Sequence, residues 1–496
     1  MRVVVIGAGF GGLSAAAHLV GGRHEVTVVE REATAGGRAT SVREDGFTLE
    51  LGPTVFTMPD LLDATFAAMG STRSDHVTLD PLDPMYRAVF ADGSSLLVRR
   101  GRAAMSNEIH EFAGRREAGV FHEFCDWVTE LYEAEMPNFI DANFDTPFDM
   151  VRRWRAAVEL VRAGGLRRLD RGVASFFHDE RLQRVFSFQS MYAGVAPHAA
   201  LALYSVITYM DTVAGVYSVR GGVSSAARGL AAAAAAAGVE FRYDTSVSRI
   251  LRDGAGTAIG VELSTGERLL ADAVVCNADL PVAYRTLLGG VDAPRVARRG
   301  RYSPSCVLWS AGVRAAPPHD AARHNLHFGA AWGDAFDDVI DRGRRMSDPS
   351  MLVSIPSVDD PTVAPAGAST ISALEPVPNL DGKVDWLRDG GRIVDDLRAR
   401  VASAGYDVDD VAVERVIDPL GWEAMGLERG TPFALAHTWR QTGPLRPANR
   451  DARVPGLFFT GSSTVPGVGV PMVLLSGKLA AQRVTDYARE TSTIRW

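Results

Sequence analysis

The first dozen residues restrict the fold more than any other stretch. "RVVVIGAGFGG" is a short β-branched run that breaks into glycines and then becomes the small-residue segment "LSAAAHLVGG". A strand, a tight turn and a helix are the reading of such a pattern. "HEVTVVE" follows as a second strand, so the chain opens as a βαβ unit with Gly7, Gly9 and Gly12 in G-x-G-x-x-G spacing. Glu30 lies 18 residues beyond the last of them. Each position has a physical role in holding a dinucleotide. Gly7 allows the turn, Gly9 admits a pyrophosphate, Gly12 lets helix and strand pack closely, and Glu30 can accept from a ribose hydroxyl pair.

Later segments return to the same unit. "GVEFRYDTSVSRILRD", "AIGVELSTGERLLADAVVCNAD" and "VPGLFFTGSS" are β-branched or alternating runs bounded by Gly, Asp or Asn. The nucleotide domain is therefore expected to be discontinuous, with parts at 1–75, 216–281 and 446–496. The first insertion, 76–215, reads as mostly helical. The second, 282–445, mixes strands ("SCVLWSAGV", "SMLVSIPSV", "STISALEPV") with a helix around "VDWLRDGGRIVDDLRARVASAG". The expected class is α/β: a Rossmann-like dinucleotide-binding domain, an inserted substrate-binding α+β domain and a helical region. The alanine run 231–237 reads as a packing helix ending at Gly238.

Composition narrows the function. The 496 residues are 46% hydrophobic and carry a formal net charge of -8, which argues against nucleic acid as partner. Cys125, Cys276 and Cys306 are too scattered for a disulfide framework or a zinc site, and a reducing cytoplasm suits them. The apolar run at the N-terminus is interrupted by glycines, so no signal peptide is expected. No G-x-S-x-G elbow occurs, which disfavours a hydrolase. The histidines His319, His324 and His327 have irregular spacing and no nearby cysteines, so they are expected to be surface residues and not a metal site.

A second glycine pair in "EREATAGGRA" brings another backbone close to the cofactor at Gly36 and Gly37, and puts the Arg38 guanidinium within reach of phosphate oxygens. That favours FAD over NAD. The run "VVVIGAGFGGLSAAAHL … VVEREATAGGRA … GFTLELGPTVFTMPDLL" resembles the bacterial-type phytoene desaturases, flavin-containing carotenoid oxidoreductases, and the similarity spans nearly the whole chain. "MDTVAGVYSVRGGVSSAARGLAAAA", "VCNADLPVAYRTLL" and "LFFTGSSTVPGVGVPMVLLSGKLAA" resemble further stretches of that family. Glu50 stands where the family usually has Asp, and Ser462 and Ser463 follow Gly461 where it more often has Gly-Ala.

The resemblance implies FAD-binding roles for Pro53, Thr54, Val247, Asn277, Asp279, Gly461 and Ser462. Gly469, Val470 and Pro471 would open a helix beneath the flavin's pyrimidine carbonyls, where the dipole stabilises negative charge. It also implies hydride transfer to the flavin, phytoene as substrate, lycopene or a shorter conjugated series as product, and quinone or oxygen as electron acceptor. An amine oxidase shares the architecture, and an isoprenoid escort module would keep the cleft without FAD.

Candidate catalytic residues are Asp149 and Arg152, one helical turn apart in a segment expected to face the substrate tunnel. The alternative for them is a helix-start carboxylate and its surface partner. Asp211 reads as a structural carboxylate. Residues 151–172, "VRRWRAAVELVRAGGLRRLDRG", carry seven arginines against two carboxylates, with Trp154, Val158, Val161 and Leu166 as an apolar stripe. Such a helix can lie on an anionic membrane surface, giving a cytoplasmic protein bound peripherally to the bilayer.

Overall fold

The computed structural model describes residues 1–289, 291 and 293–493. Its nucleotide domain is built on five parallel strands, β1 (Arg2–Ile6), β2 (Glu25–Val29), β3 (Glu240–Arg242), β4 (Ala273–Cys276) and β5 (Leu457–Phe459), in the order β3-β2-β1-β4-β5. Strands from both ends of the chain thus share one sheet. Val3 pairs with Val26 and Ala273, and Val274 pairs with Leu457. The uninterrupted apolar runs of β1 and β4 are explained by this central position, because a parallel sheet is covered on both faces.

Alternation along β1 sends successive side chains to opposite layers. Val3 and Val5 join a core with the helices Phe10–Gly21, Val223–Ala236 and Val470–Thr493, whereas Val4 and Ile6 join a core built on the antiparallel strands Val247–Arg252, Ala258–Leu263 and Arg268–Leu270. The first and last helices pack very closely. A Cβ on Gly477 would fall 2.4 Å from the Gly11 carbonyl oxygen, and Ser14 Oγ donates to the Leu474 carbonyl at 2.6 Å. The two ends of the sequence are locked together at one glycine contact.

A second, seven-stranded sheet lies beside the first. Its order is Val411–Ile417, Ser305–Val313, Ser369–Val377, Met351–Ser354, His324–Phe328, Tyr86–Phe90, Ser95–Val98. Its outer face is covered by the helix Trp386–Ser403. The first insertion, expected as a helical region, therefore also contributes a hairpin to this sheet, with Tyr86–Phe90 parallel to His324–Phe328. Tyr86, Ala88 and Phe90 point into the aromatic core that the helix Arg115–Glu135 covers, and that packing decides where the hairpin goes.

The arginine-rich segment differs from the single long helix expected over 151–172. A 3-10 turn at Pro147–Arg153 leads into the helix Trp154–Arg162, and a break at Gly164, with φ of 81°, precedes a second short helix at Leu169–Ala174. The glycine pair stops the first helix after 9 residues.

Candidate active site

One cavity of about 1550 Å³ runs between the two sheets. At one end it is lined by the glycine turn. Gly7 has φ of 93°, a conformation glycine adopts without penalty. Gly12 does not line the cavity; a Cβ there would sit 2.0 Å from the Gly7 carbonyl oxygen, so it serves the close helix–strand packing its spacing predicts. Gly9 bridges to Gly36, and the Gly36 N–H donates to the Ala8 carbonyl at 3.0 Å. The second glycine pair thus folds directly over the first. A Cβ at Gly37 would lie 3.2 Å from Gly9 Cα.

Glu30, buried at the end of β2, accepts the Ala8 N–H at 2.6 Å and the Glu32 N–H at 3.0 Å. One backbone donor on each oxygen fixes the carboxylate and leaves lone pairs for a diol. Arg38 lines the same arm but is held by the protein, donating to the Pro432 carbonyl and to Ser462 Oγ at 2.8 Å. It ties the glycine turn to the C-terminal segment.

Asn277 sits against this turn, and a Cβ on Gly9 would lie 3.1 Å from its Nδ2. Asp279 follows two residues further on. It lines the cavity, yet its carboxylate accepts the Leu280 N–H at 3.0 Å, the Glu428 N–H at 2.8 Å and the Ser463 hydroxyl. It caps a helix and joins three segments from its place in the cavity wall. Pro53, Thr54, Val247, Gly461 and Ser462 all line the cavity. The C-terminal helix begins at Val470, with Val473 N–H bonded to the Gly469 carbonyl at 2.9 Å and Pro471 in its first turn. Gly469, Val470 and Pro471 face the cavity, so the positive end of a helix dipole points into it.

Beyond this helix start the cavity becomes apolar. The second sheet contributes Cys306, Leu308, Leu326, Leu352 and Leu374, and the helical layer contributes Phe188, Tyr192 and Ile207. Asp149 and Arg152 are not among the lining residues. The Asp149 carboxylate accepts the Asp145 and Thr146 N–H groups at 2.8 and 2.9 Å in a capping box, which holds its pKa below the usual carboxylate value, while Arg152 is exposed. The catalytic expectation for this pair is corrected, because the capping geometry consumes the carboxylate at a turn outside the cavity.

The histidine expectation is corrected too. His319 is exposed, but His324 is fully buried against Ser354 Oγ at 3.0 Å and His327 is half-buried against the Tyr406 hydroxyl at 2.8 Å. Their strand is interior, and its polar side chains are satisfied by neighbours. Burial lowers the pKa of His324 to about 3 and of His327 to about 4. Among the described residues no group of three potential metal ligands occurs.

A βαβ glycine turn, a second glycine pair over it and a helix start aimed into the same cavity form a cradle for a flavin dinucleotide. A family model described as "Flavin containing amine oxidoreductase" matches residues 10–485. The chain belongs to the flavin-containing amine oxidoreductases. Within its likenesses, it is 45% identical over 489 residues to a phytoene dehydrogenase of Streptomyces griseus, covering 98% of this chain and 95% of that one. It is 37% identical to a zeta-carotene-forming phytoene desaturase of Myxococcus xanthus, covering 98% and 94%. The fold is similar to an oxidoreductase from Methanosarcina mazei, at a TM-score of 0.64 and 16% identity over 98% of this chain and 100% of that chain. As in its family, the cofactor is a flavin, and the paired glycine turns with Glu30 fit the dinucleotide form, FAD.

Several residues of this flavin-containing amine oxidoreductase were invisible in its sequence. Arg446 is buried and donates to the carbonyls of Thr464, Gln441, Leu435 and Ser462, fixing the loop that carries Ser462. His437 packs so closely on Gly467 that a Cβ there would meet its ring at 2.2 Å, and Tyr204 donates to the His437 carbonyl. Burial holds the His437 ring neutral. Glu135 and Asp211 face the apolar part of the cavity. An acid inside an apolar run, as in "LALYSVITYMD", was the one available signal.

Proposed function

We propose that this protein is an FAD-dependent carotenoid desaturase that introduces double bonds successively into phytoene, towards lycopene, and draws its substrate from a membrane surface. The observation that carries the reading is one continuous cavity, with a nucleotide cradle at one end and an apolar passage at the other. When bound, FAD would supply the hydride acceptor, its N5 position. The chain's own work is to hold a long hydrocarbon against that position and exclude water, which the leucine-lined sheet and the Phe188 and Tyr192 side suit. The 45% likeness to a phytoene dehydrogenase supports phytoene over an amine, and the intact cofactor cradle supports an enzyme over an escort module.

The route in is supported by the surface. Phe148, Val151, Trp154 and Trp439 are 80, 67, 57 and 63% exposed, and Val161, Leu166 and Leu445 are exposed beside them. Val161, Leu166, Trp439 and Leu445 also line the cavity, so its apolar end opens within this patch. Arg152, Arg155, Arg167 and Arg168 are exposed around it. A rim of cations around protruding aromatics suits an anionic leaflet. Among the described residues no helix is long and apolar enough to cross a membrane, which fits peripheral contact. Quinone or oxygen would take the electrons onward.

Phytoene in liposomes with FAD and an electron acceptor is the test. Coloured, conjugated products support the assignment; unchanged phytoene with turnover of a later carotenoid moves it to that substrate.

A further inference from the structure

Five carboxylate side chains line the cavity among the described residues: Glu30, Glu32 and Asp279 at the nucleotide end, Glu135 and Asp211 along the apolar part. The last two share an uncommon backbone feature. Glu135 ends the helix Arg115–Glu135 where a π turn, Met136–Ile140, takes over, and Asp211 lies inside a second π turn, Tyr209–Val213. Such turns recur at functional sites because the extra residue re-aims a side chain.

Their surroundings separate them. Glu135 Oε1 is buried with no hydrogen-bond partner, and burial raises its pKa well above the usual carboxylate value, favouring the neutral acid. Asp211 is also buried, but Gln189 Nε2 donates to Oδ2 at 3.2 Å and Thr212 Oγ1 donates to Oδ1 at 3.1 Å. Two neutral donors make the anion attainable and fix its orientation. Among the described residues Asp211 forms no ion pair, so its negative charge, when present, is held by neutral donors alone. The titratable groups facing it are Tyr86 on the sheet hairpin and Tyr192 on the turn Phe188–Ala193. Burial and the Asp211 charge both raise these phenols, which stay neutral. Burial raises the Asp211 pKa to about 7, against the lowering effect of its two donors.

We propose that Asp211 is the proton acceptor of the desaturation. The inference rests on the carotenoid desaturase reading. As one C–H electron pair leaves the substrate as hydride to the flavin, the neighbouring C–H pair becomes the new π bond, and the proton of that second C–H passes to an Asp211 carboxylate oxygen. Two hydrogens leave carbon as hydride and proton, and the carboxylate becomes a carboxylic acid, to be discharged to water between turnovers. Positive charge developing on the polyene as hydride departs is stabilised by the same anion in the apolar wall, where such an interaction is much stronger than in water. A general base also works best with a pKa near the operating pH.

The experiment compares wild type with Asp211→Asn, Asp211→Glu and Glu135→Gln, all loaded with FAD and assayed on phytoene liposomes across pH. Wild-type kcat should rise with pH to a plateau through an apparent pKa near 7. Asp211→Asn should lower kcat by about 10²–10⁴-fold with KM little changed and no limb remaining, while Asp211→Glu and Glu135→Gln retain the limb. Flavin-free protein supplies the second readout. Because the folded pKa lies above the unfolded one, Asp211 costs stability as pH rises from about 4 to about 7. The Tm of Asp211→Asn should therefore gain on wild type over that window, and the infrared band of a protonated carboxyl titrating there should be missing from the variant. Wild-type turnover with a limb that survives Asp211→Asn, or that vanishes in Glu135→Gln, overturns the proposal. A wild type that holds FAD but turns over no carotenoid overturns the desaturase reading, and this one with it.

Discussion

Gly9 shows how little space a single position leaves. Its absent Cβ would already lie 3.1 Å from Asn277 Nδ2 and 3.9 Å from Gly37 Cα, so a branched side chain would fill the groove between the two glycine turns. Gly9→Val should weaken FAD binding by about two orders of magnitude, roughly 2.7 kcal/mol, and titration of the flavin-free variant by flavin fluorescence measures it. His324 gives a prediction of opposite chemistry. Burial holds its folded pKa at about 3, below the unfolded value of 6.5, so its contribution to stability is present above pH 6.5 and is lost as pH falls towards 3. His324→Gln should flatten the fall in Tm across that window; an unaltered acid limb refutes the assignment to this residue.

At the scale of elements, the helix Val223–Ala236 depends on residues far away in sequence. Glu50 accepts the Val223 N–H, and Asp360 accepts the Gly221 N–H at 2.6 Å, so two carboxylates meet the helix start, each from a different part of the chain. Gly222 is required there, since a Cβ would lie 2.7 Å from Glu50 Oε1. Glu50→Ala should cost about 1–3 kcal/mol, a lost cap in a buried site, and Glu50→Gln less, because it still offers an acceptor; thermal denaturation of the two variants ranks them. The broken segment 147–174 carries the membrane expectation. Changing Arg152, Arg153, Arg155, Arg167 and Arg168 to Gln should weaken binding to anionic liposomes, read by sedimentation, by about a thousandfold or more, at about 1 kcal/mol for each arginine near the surface. Wild-type binding should also weaken with salt. Binding by the variant equal to wild type would remove this segment as the docking surface.

Across the whole molecule, FAD would span residues from Gly7 to Pro471 and so bind only the assembled fold. Saturating FAD at about a hundredfold above Kd should stabilise the protein by about 2.7 kcal/mol, read as a rise in Tm over the flavin-free form. The flavin should be released on denaturation. Cys306 is the one described cysteine lining the cavity, and burial raises its pKa to about 12, so it remains an unreactive thiol. Flavin that stays with the denatured chain would contradict this.

How much of this was legible from the sequence depended on the range of the forces involved. The glycine turn, the second glycine pair, the strand Ser305–Val313 and the helix start at Val470 follow from backbone demands that are local. A residue's own φ, its Cβ and its position in a period of two or 3.6 decide them, and those are written in adjacent residues. What only the tertiary structure decided was the set of partners brought together across hundreds of residues. Asp279 and Arg38 turned inward to join segments. Asp149 was spent on a cap, His324 was buried in a strand, and the hairpin Tyr86–Val98 crossed to the second sheet. Glu135 and Asp211 came to share one apolar wall. The charge state and use of each such group depend on burial and on which donors reach it, and packing sets both.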